Sequence, residues 1–221
     1  MKKNNIILIG FMGVGKGTVA RAMVKEVGLK SHFRMGGKEE VCGNGTLVPY
    51  KNKAGTEVPV PNEGNKEVGM VGINSHFQYV IDTDDLIESM ENRAIKKIFA
   101  NDGEAYFRNL EKKTALWLES SVDNTIISTG GGFYRQENLK NIGIVIYLKS
   151  SFDGILKRIK KAPNAKNKLK KRPLLQNKKE AMKLYDTRVK EYERVADIIV
   201  DVENRDLEFI VKEILGQIKW K

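Results

Sequence analysis

Cys42 is the only cysteine in this 221-residue chain. No intramolecular disulfide can form, and a reducing, cytoplasmic setting is expected. Histidine is almost as scarce, with only His32 and His76. Together with Cys42 they match no zinc-ligand spacing, so no zinc site is expected. Long apolar runs are missing as well. The stretch behind Lys2-Lys3 is short, is broken by Gly10 and Gly13, and has no small-residue cleavage site, so neither a leader nor a membrane partner is expected. Proline numbers only five, and three of them (Pro49, Pro59, Pro61) fall in one stretch. Aromatic residues, at 8%, do not interleave with the lysines as on a single-strand binding platform, which argues against a nucleic-acid partner.

What remains has the composition of a folded chain with one substantial core, at 41% hydrophobic and 30% charged residues. The formal charge of +11 comes mainly from scattered lysines, as on a solvated surface, and also suits anionic ligands.

The chain is organised around Ile6-Ile7-Leu8-Ile9-Gly10-Phe11-Met12-Gly13-Val14-Gly15-Lys16-Gly17-Thr18. An aliphatic strand runs into a glycine-rich turn, and a helical pattern opens at the lysine. Gly10, Gly15 and Lys16 have the spacing of a phosphate-binding loop. Glycines let backbone N–H groups close around phosphate oxygens, the helix end attracts the same anion, and Lys16 would reach the β- and γ-phosphates. The alternative is an ordinary turn with an exposed lysine. Gly13, Val14, Gly15, Lys16, Gly17 and Thr18 form the expected nucleotide contact. One residue departs from the motif: Gly17 stands where Ser or Thr is usual.

Residues 30–77 are rich in Gly, Asn, Pro and Lys. They read as an insertion between the first helix and the second strand, with a small hairpin and a repeated Ser-His-Phe near its ends. Strands follow at 79–81, 125–128, 144–148 and 198–202, separated by helical patterns. The pattern at 103–117 puts Phe107, Leu110, Thr114 and Trp117 on one face, and that at 178–194 puts Met182, Tyr185, Val189 and Tyr192 on one face. Residues 162–176 are basic, lack a hydrophobic period and read as a mobile surface loop. The expected fold is a single α/β domain, a five-stranded parallel sheet with helices on both faces. Ligands of such sheets gather beyond the carboxyl ends of the strands, where Gly10–Lys16, Asp82, Asp84 and Gly130-Gly131-Gly132 all fall.

Asp82 and Asp84 alternate, so on an extended strand end their carboxylates would point the same way. One would order magnesium through water and the other would receive an acceptor hydroxyl; otherwise the pair simply caps the next helix. The triple glycine is either a flexible turn or a second set of backbone N–H donors. Arg108, Arg172 and Arg188 read either as solvated charges or as forks for carboxylate and phosphoryl groups.

Taken in order, these motifs resemble the shikimate kinases. The resemblance rests on the loop at 10–16, Asp82-x-Asp84 with Glu88, and Gly103-Glu104-x-x-Phe107-Arg108-x-x-Glu111. It continues through Gly130-Gly131-Gly132, Arg172-Pro173-Leu174-Leu175 and Arg188-x-x-x-Tyr192, and so covers the chain except 30–77. It implies a P-loop kinase architecture and transfer of the γ-phosphoryl group of ATP to the 3-hydroxyl of shikimate, with Mg²⁺. Arg108, Arg188 and backbone of the glycine triplet at Gly131 would clamp the shikimate carboxylate. Asp84 would hold the reacting hydroxyl, Asp82 would order the metal's waters, and Phe99 and Phe107 would wall the pocket. Residues 162–176 would form a lid that brings Arg172 down over the transferring phosphate, and Arg205 would lie near adenine. A monomer is expected.

Gly17 removes the hydroxyl expected to ligate magnesium, although adenylate kinases also carry Gly-Lys-Gly-Thr. The insertion is expected at the amino-terminal edge of the sheet, away from the nucleotide. The rival readings are a gluconate or nucleoside-monophosphate kinase, disfavoured by Asp84, Arg108 and Arg188, and a non-catalytic nucleotide-binding protein.

Overall fold

A computed structural model of the chain describes residues 3–28, 79–163, 165 and 172–218. By its contacts the chain divides into one unit of Met1–Lys30 with Ser75–Lys221 and a second of Ser31–Asn74, and every described residue belongs to the first. The expected hairpin, His32, Cys42, His76 and the central part of the expected lid lie outside the described residues.

Five strands form one parallel sheet: β1 (Ile6–Ile9), β2 (Tyr79–Asp82), β3 (Thr125–Ser128), β4 (Ile144–Lys149) and β5 (Ile198–Asp201), in the order β2-β3-β1-β4-β5. All residues of β1 and β3 are buried, because central strands of a parallel sheet are covered on both faces; β1 is apolar throughout, whereas β3 carries Ile126 and Ile127 between the polar Thr125 and Ser128. The two edge strands are more open, as Tyr79 on β2 and Ile199 on β5 show. Helix α1 (Lys16–Gly28) packs along β2 and β3 and against α8 (Leu207–Gln217). On the described residues α5 (Leu139–Ile142) and α7 (Lys178–Val195) lie against β4, and α6 (Phe152–Lys161) follows that strand. No helix among the described residues is long and apolar enough to cross a membrane.

Asn5 fastens the foot of the sheet. Its fully buried amide donates to Val122 O at 2.8 Å and Ile142 O at 2.9 Å, and its Oδ1 accepts from Thr125 N at 3.0 Å. Two loops and the entry to β1 are thereby locked by one side chain, with every polar group satisfied.

Helices α2 (Thr83–Glu91), α3 (Ile95–Asn101) and α4 (Gly103–Ser121) build a second, smaller core from Ile87, Ile98, Phe107 and Leu110. It is separate from the cluster around the sheet and holds Arg108 out over the carboxyl ends of the strands. Two helix faces differ from their apolar periodicity. Trp117 and Met182 are exposed, at 44% and 42%, while Arg188 sits in the buried stripe of α7 beside Ala181 and Tyr192. Spacing marks a face but does not say how wide the covered stripe is.

Candidate functional site

The strand register brings the site together. Leu8 on β1 and Asp82 on β2 both pair with Ser128 on β3, so the glycine loop, the two aspartates and the glycine triplet leave the sheet at one level. In the loop, Gly10, Gly13 and Gly15 have φ of 144°, 89° and 107°, values that residues with a Cβ rarely adopt. Lys16 is nearly buried, and its Nζ donates to Gly10 O at 2.8 Å. Burial lowers its pKa to about 8, against the opposing pull of Asp84 and Asp82.

The aspartates do not extend a strand together. β2 ends at Asp82, and Asp84 already lies in the first turn of α2. Asp82 is the N-cap of that helix: Oδ1 accepts from Asp84 N at 3.0 Å, and Oδ2 accepts from Ser128 Oγ at 2.8 Å. Helix capping therefore coexists with a place in the cleft, because the second carboxylate oxygen stays turned inward. The Asp84 carboxyl is pushed up to about 6, by burial first and by Asp82 second.

The glycine triplet has a steric meaning that its sequence does not show. A Cβ at Gly130 would overlap Asp84 Oδ1, one at Gly131 would lie 3.0 Å from Arg188 Nη1, and one at Gly132 would overlap Arg108 Nη1. Each glycine makes room for one polar side chain, and three distant segments meet there. Tyr192 bolts the turn by donating to Gly131 O at 2.6 Å, and Thr83 Oγ1 accepts from Gly130 N at 3.0 Å.

Arg108 is held from its own helix by Glu111 at 2.6 Å and Glu104 at 2.7 Å. Burial works against the guanidinium's charge, but the two carboxylates win and raise its pKa. Glu111 is itself buried, which raises its pKa, and Arg108 opposes that shift. Arg188 is 6% exposed and its Nε has no hydrogen-bond partner among the described residues, an arrangement that costs stability. Phe107 and Phe99 contact at 4.8 Å between ring centres, with Arg108 over the Phe107 ring at 5.5 Å; Phe107 belongs to the small core and Phe99 is partly exposed.

A cleft of about 370 Å³ opens at the glycine loop, and Arg108, Arg188, Phe99 and Phe107 are not among its lining residues. Gly13, Gly15, Lys16, Gly17 and Thr18 line one side, and Asp82, Asp84, Ser128, Thr129 and Gly131 the other; Arg21, Arg158 and Arg172 close it. Burial lowers the pKa of Arg172 and of Arg158. Val14 packs in the core under the loop, and Arg205 lies against Asp201 O and Glu213, outside the cleft lining. The sequence reading gave no role to Ser128, Thr83, Glu111 or Arg158. Glu111 had a signal, its i,i+3 spacing from Arg108; Thr83 sits between the two aspartates and Ser128 two residues before the glycine triplet, while Arg158 is joined to the site only by the fold.

The chain is similar to proteins of one family. A family model described as shikimate kinase matches residues 68–219. The shikimate kinase of Helicobacter hepaticus is 30% identical over 210 residues, covering 95% of this chain and 93% of that protein. That of Dictyoglomus turgidum is 37% identical over 144 residues, covering 63% of this chain and 81% of that one. Among solved structures, the shikimate kinase of Acinetobacter baumannii in complex with shikimate matches with a TM-score of 0.64 at 24% identity, over 98% of this chain and 96% of that one. The Aquifex aeolicus shikimate kinase gives 0.61 at 27% identity, over 96% and 94%.

Proposed function

Because the chain belongs to the shikimate kinase family of ATP-dependent phosphotransferases, we propose that its cleft moves the γ-phosphoryl group of ATP to the 3-hydroxyl of shikimate with the residues that converge there. One observation carries this assignment of roles. Asp84, Arg188 and Arg108 each lie against one glycine of 130–132, and Asp84 and Gly131 line the cleft together with the phosphate-binding loop.

The loop N–H groups and Lys16 would hold the β- and γ-phosphates. Lys16 meanwhile donates to the carbonyl of Gly10, a contact it can exchange for a phosphate oxygen. Arg172 would neutralise charge on the transferring group. Arg108 and Arg188 would fix the substrate carboxylate, each by a planar fork. Asp84 would accept the hydrogen bond of the reacting hydroxyl. With its pKa near 6 it is ionised at neutral pH and still basic enough to take a proton as the bond forms. Since phosphoryl transfer passes through a loose transition state, positioning and charge neutralisation supply most of the acceleration.

Among the described residues no three His, Cys, Asp or Glu side chains gather as a metal cage. Magnesium keeps most of its waters and binds chiefly through phosphates with one or two carboxylates. Asp82, its carboxylate turned into the cleft, would hold the metal's waters, and the metal would supply charge neutralisation on the phosphates.

The test is ADP release from ATP and magnesium with and without shikimate. Shikimate should drive turnover, and gluconate or AMP should not. Acceptor-independent hydrolysis, or a preference for AMP, would overturn the assignment.

A further inference from the structure

The loop ends in Gly15-Lys16-Gly17-Thr18, so no hydroxyl follows the lysine. The backbone does not require glycine there. Residue 17 lies within α1 and is not among the glycines of positive φ. Space does not require it either. A Cβ at 17 would meet Arg21 Nη1 at 3.5 Å and both Asp82 Oδ2 and Ser128 Oγ at 3.7 Å, all ordinary contact distances. Thr18, one residue on, is turned by about 100° around the helix and cannot present its hydroxyl in the same direction.

Ser128 is the hydroxyl that does face this point. It ends β3, is 2% exposed, and lines the cleft beside Gly17 and Asp82. Its one proton is committed to Asp82 Oδ2 at 2.8 Å. A hydroxyl has one donor and two acceptor lone pairs, so Ser128 retains its lone pairs for a donor or a cation. Asp82 is itself fixed twice, through Ser128 and through Asp84 N. The side chain missing from position 17 is thus bordered by a lone-pair donor and a carboxylate in defined orientations.

We propose that Ser128 takes over the task of the absent loop hydroxyl: together with Asp82 it holds a water that serves as a magnesium ligand in the nucleotide complex. The inference rests on the magnesium–ATP reading given above. Ser128 is a positioning residue in it, acting on the metal through that water. A chain with Gly17 can then keep its metal without a direct side-chain ligand from the loop, and Ser128 matters more to it than to a chain with serine at 17.

The experiment is a double-mutant cycle on metal affinity. Mn²⁺ is titrated into the full-length protein with saturating ADP, and free Mn²⁺ is read from its electron paramagnetic resonance signal. Four proteins are compared: wild type, Ser128→Ala, Gly17→Ser and the double variant. ADP affinity without metal and the circular dichroism spectrum confirm that each is folded. Ser128→Ala is expected to weaken Mn²⁺ binding about tenfold in the wild-type background, the worth of one hydrogen bond. In the Gly17→Ser background the same change should cost less than about threefold, because the new hydroxyl binds the metal itself. An equal loss in both backgrounds would mean that Ser128 merely orients Asp82, and no loss in either would mean that it is idle; both results overturn the proposal. Failure of the wild type to bind Mn²⁺ with ADP at all would instead overturn the magnesium–nucleotide reading on which it rests.

Discussion

Asp84 should make the protein less stable while making it active. In the metal- and nucleotide-free protein its pKa stands at about 6 against an ordinary 3.8, because burial and Asp82 disfavour the carboxylate. For a carboxyl whose folded pKa is raised, the folded state binds more protons than the unfolded one between the two values. The resulting penalty is absent well below the lower value, grows through the interval and is complete above the upper one. At about 1.4 kcal/mol per pKa unit, ionised Asp84 costs about 3 kcal/mol at pH 7 and about 1 kcal/mol at pH 4.5. Asp84→Asn keeps the shape and removes the charge. It should raise the unfolding free energy by about 3 kcal/mol at pH 7, roughly 6–12 °C in midpoint for a chain of this length. The gain should shrink to about 1 kcal/mol at pH 4.5. The same substitution should lower kcat on the order of 10²–10⁴-fold. Urea unfolding of both proteins at the two pH values measures the first effect, and ADP release measures the second. A variant no more stable than wild type at pH 7, or a gain that does not change with pH, would refute the reasoning.

Gly132→Ala should raise the shikimate KM by roughly 10–100-fold with little change in the ATP KM, since its Cβ would displace an Arg108 tethered by Glu111 and Glu104; steady-state kinetics at varied shikimate test this. Arg188→Met should lower kcat/KM for shikimate by at least about 10²-fold and leave stability unchanged or higher by about 1 kcal/mol, because a buried guanidinium with an unpartnered Nε is replaced by an apolar chain; denaturation and kinetics on one preparation separate the two. Asn5→Ala should cost about 3 kcal/mol by stranding three backbone groups, yet leave kcat/KM unaltered, a contrast read from urea melts and turnover of the folded fraction.

Local patterns sufficed for much of this molecule. Four aliphatic residues running into Gly10-Phe11-Met12-Gly13-Val14-Gly15-Lys16 determine a buried strand, a turn needing positive φ and a helix start, because each of these depends on adjacent residues alone. Strand and helix alternation determines a parallel sheet, since parallel neighbours need a crossover between them. The ligand end of the sheet follows from the same alternation.

The tertiary structure decided what lies opposite what. Asp82 and Asp84 read as an alternating strand end, but the strand stops at Asp82 because its side chain caps α2, a competition between local hydrogen bonds that spacing does not resolve. Arg188 was indistinguishable from a surface charge until α7 turned it under the glycine triplet. The triplet read as a flexible or N–H-donating turn, whereas its absent Cβ atoms make room for Asp84, Arg188 and Arg108, residues 46, 57 and 24 positions away from the glycines they face. Ser128 meets Asp82 across the register of two strands and approaches Gly17 only through the packing of α1 on the sheet. Sequence patterns carry contacts a few residues long, and the chemistry of this cleft is made of contacts between segments far apart in the chain.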